Sequence, residues 1–560
     1  MVLPVIMLCF TQAMPMVGKK VVFYEKGFLN WLKPEHESYG RLSSGMYGML
    51  PSFVRSLGAQ AVISPDLDAN DLEDADVLVL LFPDDPWQDG QLERIERFVS
   101  DGGSLLVMGE HTSDDLQGRS RFNEVLTPTA MHVNFDSATF DIGGWLHSYQ
   151  MMAHPITLGM SDQRNEAGVV IGASVHTRWP ARPLVMGRWG WSDWGDHGST
   201  RAKMGNGKYD PGERLGDLIL AAEQPVGKGR VITFGDTSSL TNGIAVGAHA
   251  FINRLFSYLA GRQMDPHAPW RQFLALMAGV ALICLLVYDK DLCMVTFTLL
   301  ILAGSVQVCS GLTVKSHDRV PSGSSVHNIR LAYVDASHLE AYSSESWRTD
   351  GIGGLILTLM RNGYLTLSMD RWSAKRLEQA DLLISIAPSR AFTSKERQVV
   401  QQFVLKGGTF IVTAGFERAG GCQDLLKDFG FFIGRHDTDT VQVRALGHFK
   451  SPYLQTDVGR AFVRFHAAFP VVSTAADAQV LAYGADNLPV MMMRSIGQGR
   501  VVVVGDTGFA MNKNLEHEDG SPFEGLRENA DFWRWLLSRI KGESMWIPPR
   551  IRPATEEVAP

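Results

Sequence analysis

Two stretches of this 560-residue chain carry one pattern in one order. Leu72–Glu110 reads LEDADVLVLLFPDDPWQDGQLERIERFVSDGGSLLVMGE, and Leu377–Gly415 reads LEQADLLISIAPSRAFTSKERQVVQQFVLKGGTFIVTAG. An Ala-Asp before an apolar run, a Pro after it, a Phe-Val in the next segment and a Gly-Gly before the next apolar run recur in register. A second block follows each: VGKGRVITFGDTS at Val226–Ser238 and IGQGRVVVVGDTG at Ile496–Gly508. Two blocks matching in order imply a duplicated domain rather than a solenoid.

The pattern inside each copy sets its class. Val77–Phe82 is apolar without alternation, the mark of a strand buried on both faces, as in parallel sheets. Asp89–Ser100 has helical spacing through Leu92, Ile95, Phe98 and Val99, and Asp101-Gly102-Gly103 ends it before the strand Ser104–Met108. Lys19–Tyr24 and Ala61–Ser64 read as earlier strands around a helix Pro51–Leu57, and Ala250–Ala260 as a closing helix. Strand, helix and strand in this order indicate βαβ units and an α/β fold with a mainly parallel sheet. Ile329–Val334 opens the second copy.

Between the copies lie two hydrophobic runs, Phe273–Tyr288 and Leu292–Val314, separated by Asp289-Lys290-Asp291. The second has the roughly 20 apolar residues that a spanning helix needs. The first is shorter, and Trp270 and Tyr288 suit the two interfaces. The pair is expected to form a transmembrane hairpin over 270–314; two buried core helices are the alternative. A turn this short puts both flanking segments, 19–262 and 325–543, on the same side of a membrane. Arg262, Arg271, Lys315 and Arg319 flank the domain side and Lys290 lies in the turn, a count that leans cytoplasmic. Residues 1–18 are apolar before Lys19-Lys20 and read as a signal peptide, a truncated span or a buried N-terminus; a signal peptide would argue for the other side. Residues 544–560 form a C-terminal tail.

Composition narrows the partners. A net charge of −8 without a Lys/Arg stripe argues against nucleic acid. Of five cysteines, Cys284, Cys293 and Cys309 lie in the hairpin and Cys9 near the N-terminus, which leaves Cys422 alone in a soluble segment and no disulfide framework.

Candidate site residues concentrate in the first copy. Glu110 and His111 follow a strand end, where ligands gather in open α/β sheets; the plainer alternative is a polar loop that caps a helix. Asp236 also lies past a strand end, but Asp506 repeats it, so this position is expected to satisfy backbone N–H groups of the following turn. His154 and His176 sit in loop-like stretches. Trp189, Trp191 and Trp194, among Gly and Asp in Arg188–Gly198, could stack on a sugar or pin a long loop. Asn206, Asp210, Glu213 and Asp217 have spacings reminiscent of a calcium loop, though they depart from the EF-hand pattern. Glu110-His111 corresponds to Gly415-Phe416 in the second copy, which also lacks the tryptophan and GNGKYDPGE stretches. The first copy is therefore the expected binding half.

The strand–helix–Gly-Gly–strand block followed by GKGRV…GD resembles the class I glutamine-amidotransferase-like domains. It is most similar to the uncharacterised bacterial membrane-protein branch that includes DUF4350-type and gliding-motility transporter-associated domains. The resemblance implies two flavodoxin-like, amidotransferase-like domains in tandem in a bacterial inner membrane. Catalytic members use a Cys on the turn after a central strand. Here those turns read Gly109-Glu110-His111 and Ala414-Gly415-Phe416, and Cys422 lies seven residues past Gly415 without a matching elbow. Without a thiolate there is no acyl-enzyme route to glutamine hydrolysis.

Three functional expectations follow. The first is a non-catalytic, membrane-anchored protein that binds a small ligand, a glycan or other membrane-complex subunits through Glu110, His111, His154 and Asp236. The second is a metal-dependent hydrolase in which these residues and His176 converge. The third is an accessory transporter subunit, by analogy alone; there is no P-loop, so ATP hydrolysis would need another subunit.

Overall fold

The computed structural model describes residues 15–35, 46–114, 120–139, 149–160, 166–196, 205–261, 268–289, 291–323, 330–343, 345, 348–435, 449–456, 459–463, 465–484, 488–515 and 527–542. The chain divides into two compact units, Met1–Trp31 with Phe53–Arg319 and Leu32–Ser52 with Val320–Pro560.

The first unit contains β1 (Lys20–Tyr24), β2 (Gln60–Ser64), β3 (Val77–Leu81), β4 (Ser104–Met108), β5 (Met131–Val133), β6 (Asp136–Thr139), β7 (Tyr149–Met151), β8 (Val175–Thr177), β9 (Arg182–Trp194), β10 (Leu215–Val226) and β11 (Gly229–Phe234). Its main sheet has the order β2-β1-β3-β4-β11-β10-β9-β6, with β7 also on β9. The strands from β2 to β11 are parallel, and β10, β9 and β6 extend the sheet antiparallel. Val22, Leu78, Leu80, Leu105 and Val107 pack with Ile95, Phe98 and Val99 of the Gln91–Ser100 helix and with Phe122. On the other side Phe23 meets Phe256, and Phe234 meets Phe251, of the Ala245–Leu259 helix. Burial on both faces explains why the parallel strands read as unbroken apolar runs.

The second unit contains β12 (Arg330–Asp335), β13 (Tyr364–Met369), β14 (Leu382–Ile386), β15 (Thr409–Thr413), β16 (Phe431–Ile433), β17 (Phe449–Thr456), β18 (Gly459–Val463), β19 (Val471–Ser473), β20 (Gln479–Tyr483), β21 (Pro489–Ile496) and β22 (Gly499–Val504). Its sheet order, β13-β12-β14-β15-β22-β21-β20, repeats the connectivity of the first through five parallel strands and then turns antiparallel. The repeated Gly-Gly has one cause in both. A Cβ on Gly103 would lie 2.3 Å from the Phe98 ring, and one on Gly408 2.2 Å from the Phe403 ring, so the helix's aromatic residue closes over the start of the next strand.

The two apolar runs are helices, Ala268–Asp289 and Leu292–His317. Asp291 starts the second, its carboxylate accepting from the Cys293 N–H at 2.9 Å. Cys293–Ser316 is long and apolar enough to cross a membrane, with mean hydropathy 1.8. Phe297, Leu300 and Val308 on it are each at least 60% exposed, and such apolar surface on a helix marks an interaction face.

The middle of the first unit departs from the sequence expectation. Arg188–Trp194 belongs to the 13-residue strand β9, not to a loop. The antiparallel edge shows weak apolar alternation because a bulge interrupts it. Between the pairs Leu218↔Gly187 and Gly216↔Gly190, β9 carries one extra residue, and Trp189 sits there at φ 64.

Candidate functional site

Polar groups gather at the carboxyl ends of the parallel strands in both units, but in different places. In the first unit they follow β4 and β11. Glu110 Oε1 accepts from the His111 N–H at 3.0 Å, and Oε2 from the Thr237 hydroxyl at 2.8 Å. Burial, then the nearby Asp236 carboxylate, push the Glu110 carboxyl up to about 8. Burial lowers the His111 ring from its usual range. This pair therefore favours a neutral acid beside a neutral imidazole at pH 7, with hydrogen-bonding capacity and little charge.

Asp236 is committed to the backbone. Its two oxygens accept from the N–H groups of Val170 at 2.6 Å and Ser238 at 2.7 Å, and burial raises its pKa to about 6. Asp506 does the same in the second unit, accepting from the N–H groups of His466 and of Gly508, the latter at 2.8 Å. The repeated GD therefore joins β11 or β22 to a turn. Where Glu110 meets Thr237 in one unit, the Gly415 N–H meets the Thr507 hydroxyl in the other, at 2.8 Å.

His154 stands in a separate cluster. Its Nε2 lies 3.1 Å from Glu223 Oε2, and Glu223 Oε1 accepts from the Tyr258 hydroxyl at 2.6 Å. Burial alone would raise the Glu223 carboxyl, but hydrogen bonding and charge from His154 outweigh it and hold the pKa low. Arg230 lies over the Tyr258 ring at 4.3 Å. His176 is on β8, paired across the ladder with His132. The hydrolase expectation needs these histidines beside Glu110; among the described residues, no such metal-sized group forms in this unit.

The other candidates are also placed. Trp189 and Trp194 are exposed and Trp191 is half-buried, all on β9. Trp189 stands at the bulge and is 73% exposed. In the calcium-like stretch, Glu213 accepts from the N–H groups of Trp194 and Asp210, and the Asn206 amide donates to Asp210 at 2.6 Å. Asp217 lies on β10 and is exposed. Asn206, Asp210 and Glu213 thus brace the described segment 205–214 against the end of β9. A cleft of about 390 Å³ opens beside the segment after β4, lined by Ser113, Asp114, Asn123, His132 and Asn134 among others.

The second unit holds a cluster that sequence reasoning missed. Its sheet reverses strand order between β12 and β14, the place where open α/β folds bind ligands. Asp335 ends β12. Its Oδ2 lies 2.6 Å from His338 Nδ1, and its Oδ1 accepts from the Ser337 N–H at 2.9 Å and hydroxyl at 2.7 Å. Glu340 reaches across to β14, accepting from the Ser385 hydroxyl at 3.0 Å and from the Ile386 N–H. Burial, then the Asp335 charge, push its pKa well up. Asp335 and His338 are fully enclosed, and the His338 ring stacks on Phe392 at 3.8 Å between centroids. Next to this crevice, Ala387 takes φ 46 directly before Pro388, a costly conformation held by its surroundings. The signal available in sequence was Asp-x-Ser-His-x-Glu at a strand end, DASHLE at Asp335–Glu340. The first unit has Tyr24 and Gly27 at the corresponding positions.

Cys422 is buried, donates to the Ala419 carbonyl at 3.4 Å, and has its thiol pushed up to about 12 by burial and then by Glu340. At neutral pH it is held as a thiol and is a poor nucleophile.

A family model described as "Domain of unknown function (DUF4350)" matches residues 47–246. No curated protein matches the chain. Among solved structures, the mmIFT52 N-terminal domain is 13% identical, with a TM-score of 0.32 over 39% of this chain and 100% of that one. A cytoplasmic protein of Salmonella typhimurium LT2, STM1381, is 14% identical, with a TM-score of 0.27 over 38% and 98%. A β-galactosidase from Bacillus circulans sp. alkalophilus is 15% identical, with a TM-score of 0.24 over 44% and 36%.

Proposed function

We propose that this chain is a membrane-anchored, non-catalytic binding protein built from two related amidotransferase-like domains, with both domains on one side of a bacterial inner membrane. The observation that carries the non-catalytic part is the state of the nucleophile position. The turns after β4 and β15 present Glu110-His111 and Gly415-Phe416, and Cys422, seven residues past Gly415, is enclosed and held protonated. Duplication is supported by the shared strand order and by the Asp236 and Asp506 turns. The anchor is supported by the exposed apolar helix Cys293–Ser316.

On this reading the binding surface is the polar cleft lined by Ser113, Asp114, Asn123, His132 and Asn134, in the segment that follows Glu110 and His111 in the chain. Its hydroxyl, amide, imidazole and carboxylate groups offer closely spaced donors and acceptors, which suits a glycan or the backbone of a partner loop. Photo-crosslinking from position 134, with Asn134 replaced by a photoreactive residue in the full chain in native membranes, tests this. The expected result is one discrete adduct, or enrichment on a glycan array of the detergent-solubilised protein. Neither adduct nor glycan binding, in a protein that still folds, counts against the reading.

A further inference from the structure

The buried cluster at the β12–β14 crevice is built from more negative groups than its visible partners explain. Asp335, His338 and Glu340 each offer a ligand atom, and these atoms all lie within 4.8 Å of one another. Two carboxyl groups this close, that of Asp335 fully enclosed, favour a proton or a cation between them. The neighbouring Arg390 is turned to Glu396, at 3.2 Å, and to the Ser337 carbonyl, at 3.3 Å.

The His338 ring supplies a second, independent observation. Its Nε2 is fully buried and makes no hydrogen bond, although Glu396 Oε2 is 3.6 Å away. With the ring proton on Nδ1 and given to Asp335, the bare Nε2 lone pair faces a carboxylate, acceptor against acceptor. A cation on Nδ1 reverses this. The proton then sits on Nε2 and is donated to Glu396, the carboxylate–histidine–metal arrangement that fixes ring tautomer and orientation. Glu396 is itself anchored by the Thr393 N–H at 2.7 Å and by Arg390, as an orienting carboxylate must be.

We propose that Asp335, His338 through Nδ1, and Glu340 hold a divalent first-row transition-metal ion, with Glu396 as the outer carboxylate. One imidazole and two carboxylates suit zinc, manganese or iron, whereas an imidazole is not a ligand that calcium favours. The ion bridges the end of β12 to β14 through Glu340 and so closes the crevice. This inference does not depend on the binding role proposed for the first unit.

The test is elemental analysis of the full chain, purified in detergent without a histidine tag, followed by chelator stripping and titration with ZnCl₂ and MnCl₂. We expect about one ion per chain in the native protein, loss of that ion in Asp335→Asn and Glu340→Gln, and a lower melting temperature after stripping. Glu396→Gln, which keeps all three ligands, should bind roughly 10- to 100-fold more weakly. If the ligand variants fail to fold, Glu396→Gln alone decides through that affinity change. The proposal is overturned if the protein carries no ion and neither Zn²⁺ nor Mn²⁺ shifts its melting, with nitrogen NMR showing a doubly protonated His338 between Asp335 and Glu396. Unchanged metal content or affinity in all three variants also overturns it.

Discussion

Replacing Glu110 with Gln should remove most of the pH dependence of the first unit's stability. In the fold, burial and Asp236 raise the Glu110 carboxyl from 4.5 to about 8. Unfolded, it returns to its ordinary value. Between these values the folded state holds a proton that the unfolded state releases, so stability is fully present below pH 4.5 and is lost as pH rises through 8. The shift corresponds to a ceiling of roughly 5 kcal/mol. The side chain is 16% exposed and shares its effect with Asp236, so a loss of about 2–4 kcal/mol between pH 5 and 9 is expected. Glutamine keeps an acceptor for the His111 N–H and can face the Thr237 hydroxyl, so Glu110→Gln should fold and leave the smaller Asp236 slope near pH 6, opposed by His111, whose lowered pKa makes its contribution rise with pH. Native-state hydrogen exchange of the β4 and β11 amides at pH 5, 7 and 9, after correction for intrinsic exchange rates, reads the local free energy directly. Parallel pH slopes for Glu110→Gln and wild type would refute the reasoning.

Other positions give simpler outcomes. Asp506→Ala leaves the N–H groups of His466 and Gly508 without their acceptor in a fully buried turn, and should cost about 2–4 kcal/mol in urea unfolding of the second unit. Gly408→Ala places a Cβ 2.2 Å from the Phe403 ring and should cost about 1–3 kcal/mol by the same assay, whereas Gly420→Ala, with open space around it, should cost less. Cys422→Ala should leave glutamine hydrolysis at the level of the wild-type chain, measured as ammonia release, because the thiol is not ionised at neutral pH.

The parallel half of each sheet was legible in the sequence because burial on both faces leaves unbroken apolar runs such as Val77–Leu81 and because Gly102-Gly103 and Gly407-Gly408 mark helix ends. The antiparallel extension was not. β9 alternates irregularly, carries exposed Trp189 and Trp194, and is bulged, so it has the composition of a loop. The turn role of Asp236 could be read from its repetition at Asp506, since a group present in both copies points to the fold. The same comparison passed over the polar cluster of the second unit. Comparing copies at the β4 end drew attention to Glu110 and His111, while Asp335, His338 and Glu340 lie at the end of β12, outside the repeated blocks. Only the strand order, with its reversal between β12 and β14, gives that position its meaning. His154 could not be placed by sequence, because its partner Glu223 is 69 residues away on a strand whose existence was not visible.

The central claim is a hairpin anchor that keeps both domains on one membrane face. Single cysteines introduced at exposed Trp194 in the first unit, at exposed Leu488 in the second and at Asp291 in the turn, in a chain otherwise free of cysteine, can be labelled in intact spheroplasts and in inverted vesicles with a membrane-impermeant maleimide. The account predicts that positions 194 and 488 label from the same side and position 291 from the opposite side. Labelling of 194 and 488 from opposite sides, or recovery of the chain in the soluble fraction, would contradict it.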